Sequence, residues 1–380
     1  MQFPKFIKKG QKVAFVAPSF GCTFEPYKSC LEESLRKFEA MGYKTECGQC
    51  CFLDDGVGIS SSPKKCGSEL TSMALGQSQA LISVGGGELM CEILDYVDFK
   101  AISQAEPKWF MGYSDNTNFS FLLTSMCDIA SIYGPNAGAF AMRPWHKSLD
   151  YALGLLDGNA FDEKTGKAVF DGFDKWEKES LKSPENPYAG LNLTQESKIK
   201  YEIPESMSKD SSATFAKQEA EDKQTAEDKQ AAKDKQGNEE YTFSGRLIGG
   251  CMDCLNNLVG TKYDHIKAFI EKYKEDGIIW LLEACDLSVL DIRRTLWHMK
   301  EAGWFEGAKG FVIGRPYHFD EPIMGLDRYE AVMSQLRELE VPVLMDADVG
   351  HISPQMPLVL GSMAQVKLKE DSYQIEMSLK

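Results

Sequence analysis

The chain has 380 residues, enough for two domains, because single hydrophobic cores stop growing near ~250–300 residues. Its 43% hydrophobic and 26% charged residues suit a soluble globular protein, and the net charge of −15 argues against a nucleic-acid backbone as main partner, which would need Lys and Arg against phosphate. No run reaches the ~18 apolar residues of a membrane span, and the lysines near the start flank no signal-peptide core, so a cytoplasmic protein is expected.

In chain order, "QKVAFVAPSFG" (11–21) predicts a first strand stopped by Pro18 and Gly21. A helix follows, with Leu31, Leu35, Phe38 and Met41 at helical spacing and Gly42 as its stop. "KTECG" reads as strand, "CGSELTSMALGQ" as helix and "ALISV" as strand before three glycines. "CEILDYVDFKAIS" predicts one helix, "KWFMGY" a strand and "NTNFSFLLTSMCD" another helix. Strands alternating with helices predict a parallel sheet covered on both faces.

The middle of the chain changes character. From about Asp171 to Thr242 it is polar, and a six-residue unit recurs as "EDKQTA", "EDKQAA" and "KDKQGN". Six residues is no helical face period, so no continuous apolar stripe can form. The segment reads as a low-complexity spacer, with a partner-binding arm as the alternative. The boundaries expected are 1–165 for an N-terminal domain, 166–243 for a polar linker or insertion, and 244–380 for a C-terminal α/β domain. That last part alternates again: helix "DHIKAFIEKYKEDG", strand "IIWLLEA", helix "SVLDIRRTLWHMKEAG", strand "KGFVIGRP", helix "DRYEAVMSQLRELE", strand "VPVLMDADVGH" and two closing antiparallel strands.

The chemistry-bearing residues sit at strand ends. Ser114 in "FMGYSDNTNF" follows a short strand and precedes a helix, where it can be an exposed nucleophile or a helix N-cap. "SVGGGE" (83–88) allows close backbone approach and free N–H donors for an oxyanion; a phosphate turn is the alternative, although G-x-G-x-x-G fails at Met90. Glu283 ends an apolar strand in "WLLEACD", and His351 follows another strand in "ADVGHISPQMPLVLG". Of eleven cysteines, Cys47/Cys50 and Cys251/Cys254 form C-x-x-C pairs. Two such pairs could make a zinc site, but some 200 residues separate them, which favours plain reduced thiols.

With "VAPSFG", "SVGGGE", "GYSDNT", "GRLIGG", "LLEACD", "FVIGRP" and "GHISPQMPLVLG" in that order, the sequence resembles the serine peptidase family of L,D-carboxypeptidases, which includes the microcin-immunity peptidases. The resemblance implies a Rossmann-like N-terminal domain, a smaller C-terminal domain, a site in the cleft between them and, for many members, a homodimer. It implies Ser114 as nucleophile, His351 as base and Glu283 as the acid that orients it. It also implies an oxyanion hole from backbone N–H groups near Gly86 and of Asp115, with Gly87 and Glu88 beside it as candidate substrate contacts. No metal or cofactor is implied. The chain order Ser…Glu…His is also that of α/β-hydrolases, but the second glycine of G-x-S-x-G is missing.

The implied substrate is a murein tetrapeptide that loses its terminal D-alanine. Its carboxylates would need cations, for which Arg143, Arg246 and Arg315 are candidates. Cleavage of a peptidyl- or aminoacyl-nucleotide is the alternative, with Trp176 as a candidate stacking platform. A catalytically silent binding protein is the alternative of another class. Two features depart from the family: "GGCMDC" stands where an asparagine is more usual, and the charged spacer has no counterpart.

Overall fold

The computed structural model describes residues 1–207 and 240–380, so the EDKQ repeat expected as a spacer lies outside the described residues. Two sheets organise the chain. The first contains β1 (Lys12–Val16), β2 (Lys44–Cys47), β3 (Ala80–Ser83), β4 (Trp109–Gly112) and β5 (Ser131–Tyr133), all parallel, in the order 2-1-3-4-5 of a doubly wound sheet. β1, β3, β4 and β5 are short, apolar and almost wholly buried, as parallel strands covered on both faces must be.

The stretch expected as a polar linker or insertion over 166–243 is described as far as Met207 and again from Glu240, and it carries regular strands. It forms β6 (Lys167–Asp171), β7 (Lys175–Glu177), β8 (Leu193–Glu196) and β9 (Lys200–Glu202). Its polarity has a structural cause: among the described residues β6 and β9 are the two outermost strands of the second sheet, and β7 pairs only with β8. The second sheet runs β6-β16-β15-β10-β11-β12-β13-β9, with β10 (Glu240–Cys251), β11 (Ile278–Glu283), β12 (Ala308–Gly314) and β13 (Val343–Ala347) parallel at its centre. β15 (Met363–Lys369) and β16 (Ser372–Ser378) add antiparallel on one side of β10. Their burial alternates residue by residue, with one face on the core and the other toward water.

One strand crosses between the two halves. β14 (Leu358–Leu360), from the C-terminal part, pairs antiparallel with β5 and completes the first sheet. Beside it, the helix Thr117–Ser125 is buried along its entire length. The backbone of β10 crosses its first turn, where the Cys251 N–H donates to Thr117 Oγ1 at 3.0 Å. Only glycine permits this approach at position 250, because a Cβ there would lie 2.6 Å from Thr117 Cγ2.

The single helix expected over 91–103 is two pieces, a 3-10 stretch Met90–Tyr96 and a helix Phe99–Gln104. Asp98 makes the break by capping the second piece, its carboxylate accepting from the Ala101 N–H at 2.8 Å. No helix among the described residues is long and apolar enough to cross a membrane.

Candidate active site

Ser114 follows the C-terminal end of β4 and opens a 3-10 turn that runs into the helix Thr117–Ser125. Its φ of +64° puts it in the left-handed region, a sharp strand-to-helix turn that presents the hydroxyl while the helix amides start behind it. Ser114 Oγ lies 2.9 Å from His351 Nε2, and His351 Nδ1 lies 2.8 Å from Glu283 Oε2. The three residues named from sequence therefore meet in one hydrogen-bonded relay. Glu283, the last residue of β11, is fully buried, whereas the His351 side chain keeps 13% of its surface exposed.

Tyr133, at the end of β5, was not legible as part of this site. Its hydroxyl donates to Glu283 Oε1 at 2.5 Å and accepts from the Ser114 N–H at 3.4 Å, joining the acid to the backbone of the serine. Burial alone would raise the Glu283 carboxyl, but the His351 imidazole and donors from His351, Tyr133 and Cys251 hold it below the usual carboxylate range. Burial alone would lower His351, yet the Glu283 carboxylate, with Cys285 sulfur accepting a hydrogen bond from the ring, holds the imidazole well above its ordinary value. The arrangement suits proton transfer from a hydroxyl to an imidazole whose protonated form the Glu283 carboxylate stabilises.

The glycine turn 85–87 passes directly over the serine. A Cβ on Gly86 would lie 3.0 Å from Ser114 Oγ, so the backbone itself borders the reacting atom. The Asp115 side chain ties together the segments that flank this turn. Its carboxylate accepts from Ser19 Oγ at 2.5 Å, from the Met90 N–H at 2.8 Å and from Asn118 Nδ2 at 2.9 Å. Asn116 Nδ2 also donates to the Gly85 carbonyl at 2.8 Å. Gly87 packs on Ser19, where a Cβ would stand 2.1 Å from its hydroxyl. Glu88 is exposed at the same rim, its carboxyl raised by partial burial and by Asp286, Asp115 and Asp253 nearby.

The candidate cations behave differently from expectation. Arg315 is buried, donating to the Asp346 carbonyl at 3.0 Å and to Ser197 Oγ at 3.4 Å, with Asp348 at 3.6 Å. Arg246 is likewise buried, paired with Asp276 at 2.5 Å, bonded to the carbonyls of Gly361 and Lys380, and stacked on Tyr273. Both arginines are thus held among protein partners, although Arg315 Nη1 is buried without a hydrogen-bond partner among the described residues. Arg143 pairs with Glu33 and lies over the Tyr188 ring, outside the relay. Trp176 is half-buried, edge-on to Phe319 with the Arg315 guanidinium over its ring. The next residue, Glu177, donates its N–H to the Ser353 carbonyl at 2.7 Å, which sets Trp176 beside the loop that carries His351.

All eleven cysteines are free, and the two C-x-x-C pairs do not converge. Cys47 meets Cys51 and Cys50 meets Cys66, while Cys251 and Cys254 meet each other next to the relay. Cys254 Sγ lies 3.6 Å from the Ser114 carbonyl.

Both halves of the chain are similar to known proteins. Residues 13–134 match the LD-carboxypeptidase N-terminal domain and residues 244–366 the LD-carboxypeptidase C-terminal domain. A Treponema pallidum protein named as a carboxypeptidase is 20% identical over 374 residues, spanning 98% of this chain and 94% of its own. The Escherichia coli microcin C7 self-immunity protein MccF is 22% identical over 284 residues, 74% of this chain and 69% of its own. A structure of MccF in complex with aspartyl sulfamoyl adenosine superposes with a TM-score of 0.74 at 18% identity, covering 100% of this chain and 99% of that one. The muramoyltetrapeptide carboxypeptidase of Oxalobacter formigenes superposes with a TM-score of 0.63 at 18% identity, covering 97% and 99%. At these identities the superpositions show the fold; the two domain matches, in order and on the halves that supply Ser114 and the Glu283–His351 pair, place the chain in the LD-carboxypeptidase family.

Proposed function

We propose that the chain is a serine hydrolase that removes the terminal D-alanine of a murein tetrapeptide through an acyl-enzyme. The observation that carries this reading is the unbroken hydrogen-bonded path from Ser114 Oγ through His351 to Glu283. His351 Nε2 takes the serine proton as Oγ attacks the carbonyl of the L,D bond. Glu283 fixes the Nδ1–H tautomer and stabilises the imidazolium that forms. Backbone N–H groups near Gly86 and of Asp115 receive the developing oxyanion, each worth on the order of 3 kcal/mol. His351 then gives its proton to the departing D-alanine amine and activates the water that frees the tripeptide.

A second reading, hydrolysis of a peptidyl- or aminoacyl-nucleotide, is favoured by Trp176, an aromatic face next to the His351 loop that could stack a base. MccF, whose structure with aspartyl sulfamoyl adenosine shares this fold, makes that substrate class worth testing. Incubation with murein tetrapeptide and with an acyl-sulfamoyl adenosine, read by mass, separates the two. The tetrapeptide is expected to lose one alanine. Product from neither, with no phosphonate label on Ser114, would leave a silent binding protein.

A further inference from the structure

Sheet register brings a thiol to the acid of the relay. Cys251 ends β10 directly opposite Glu283 in β11, so the two side chains are cross-strand neighbours on one face. The loop carrying His351 closes over them. Ligand atoms of Cys251, Glu283 and His351 all lie within 4.8 Å of one another, and among the described residues no other His, Cys, Asp and Glu side chains form such a group.

We propose that Cys251, Glu283 and His351 form an inhibitory site for a thiophilic divalent cation such as Zn²⁺. Resting on the hydrolase reading for its consequence but not for its existence, it assigns a second ligand to the same side chains. One thiolate, one imidazole and one carboxylate make a borderline-soft donor set that suits zinc or cobalt and not magnesium or calcium. Bond lengths of ~2.0–2.3 Å put donors about 3.4 Å apart in a tetrahedron, so small side-chain shifts close the site, with water as fourth ligand. The cation takes the place of the proton between His351 Nδ1 and Glu283 Oε2, which moves to Nε2 by exchange with solvent, and displaces the proton of the Cys251 thiol, which is the one released to solvent. Its two charges offset the thiolate and the carboxylate, leaving the buried cluster neutral. Tyr133 still donates to Glu283 Oε1 and so aims Oε2 at the metal.

Inhibition follows from the tautomer. With Nδ1 on the metal, the remaining imidazole proton sits on Nε2, which then donates toward Ser114 and cannot accept its proton. Access is from the cleft side, where His351 is the one member of the three that is not fully buried.

The test uses the full chain and Co²⁺ as a spectroscopic stand-in for Zn²⁺. We expect one Co²⁺ per chain with a thiolate-to-cobalt charge-transfer band and tetrahedral d–d bands. The charge-transfer band should vanish in Cys251→Ser and Cys251→Ala yet persist in Cys66→Ser, each checked for folding by circular dichroism. Zn²⁺ should inhibit turnover of the tetrapeptide reversibly to chelator, and Cys251→Ala should raise the inhibitory concentration by more than about tenfold. A cobalt spectrum indifferent to residue 251, or no tetrahedral spectrum at millimolar Co²⁺, overturns the site. A Cys251-dependent cobalt spectrum, together with no hydrolysis by the protein before metal is added, would instead remove the hydrolase reading and leave the metal site standing.

Discussion

At the scale of single residues, Tyr133 is the side chain whose role the geometry argues most directly. It is buried, and its hydroxyl satisfies Glu283 Oε1 while accepting from the Ser114 N–H. Tyr133→Phe leaves a buried carboxylate oxygen without that donor, a loss of roughly 1–3 kcal/mol. We expect kcat to fall about 5- to 150-fold with little change in KM, because the phenol touches the relay and not the substrate. An unchanged kcat would reduce Tyr133 to packing. The pH profile tests the pair beyond it. His351 must be neutral to act as base, and Glu283 holds it well above its ordinary value, so kcat/KM should rise with pH through a point above ~6.5. Removing the charge that favours the imidazolium moves that limb the other way. Glu283→Gln should shift it to lower pH while lowering the plateau by roughly 10³–10⁴.

At the scale of elements, the glycine turn after β3 and the turn at Ser114 act as one unit, tied through Asp115 and Asn116. Gly86→Ala puts a methyl 3.0 Å from Ser114 Oγ and 3.1 Å from its Cβ, closer than carbon and oxygen settle at ease. We expect turnover to drop by at least about tenfold while the melting temperature moves by only a few degrees, since the strain falls on an open site and not on the core. Wild-type turnover in Gly86→Ala would place the acyl carbonyl elsewhere. Such elements were the legible part of the sequence: Glu283 is the last residue of its strand and Ser114 and His351 each follow one, and strand ends announce themselves by apolar runs that stop at glycine or a polar residue. Tyr133 was hidden because a tyrosine in "SIYG" reads as core, and it is core except for its hydroxyl. The burial of the arginines was hidden for a related reason. Sequence shows that Arg246 and Arg315 flank motif stretches but not that both are buried, beside Asp276 and Asp348. β6 and β9 were missed because outermost strands keep one polar face and so carry half an apolar signal.

At the scale of the whole molecule, the expected division into domains at 165 and 244 describes the sequence better than it describes stability. β14 comes from the C-terminal part and hydrogen-bonds β5 over Leu358–Tyr133, Val359–Ile132 and Leu360–Ser131. The helix Thr117–Ser125, buried on all sides, receives β10 at its first turn. A fragment 1–165 would therefore expose both an unpaired apolar strand edge and a face of that helix, the conditions under which chains associate. The complete protein should unfold in one transition, with far-ultraviolet circular dichroism and tryptophan emission coincident, because Trp109 reports the first sheet and Trp280 the second. Residues 1–165 expressed alone should aggregate or melt without a sharp transition. A soluble fragment with a cooperative transition near that of the complete chain would mean that β14 is an ornament on a self-sufficient sheet. The serine would then be held by its own domain, and only the Glu283–His351 pair would depend on how the two halves dock.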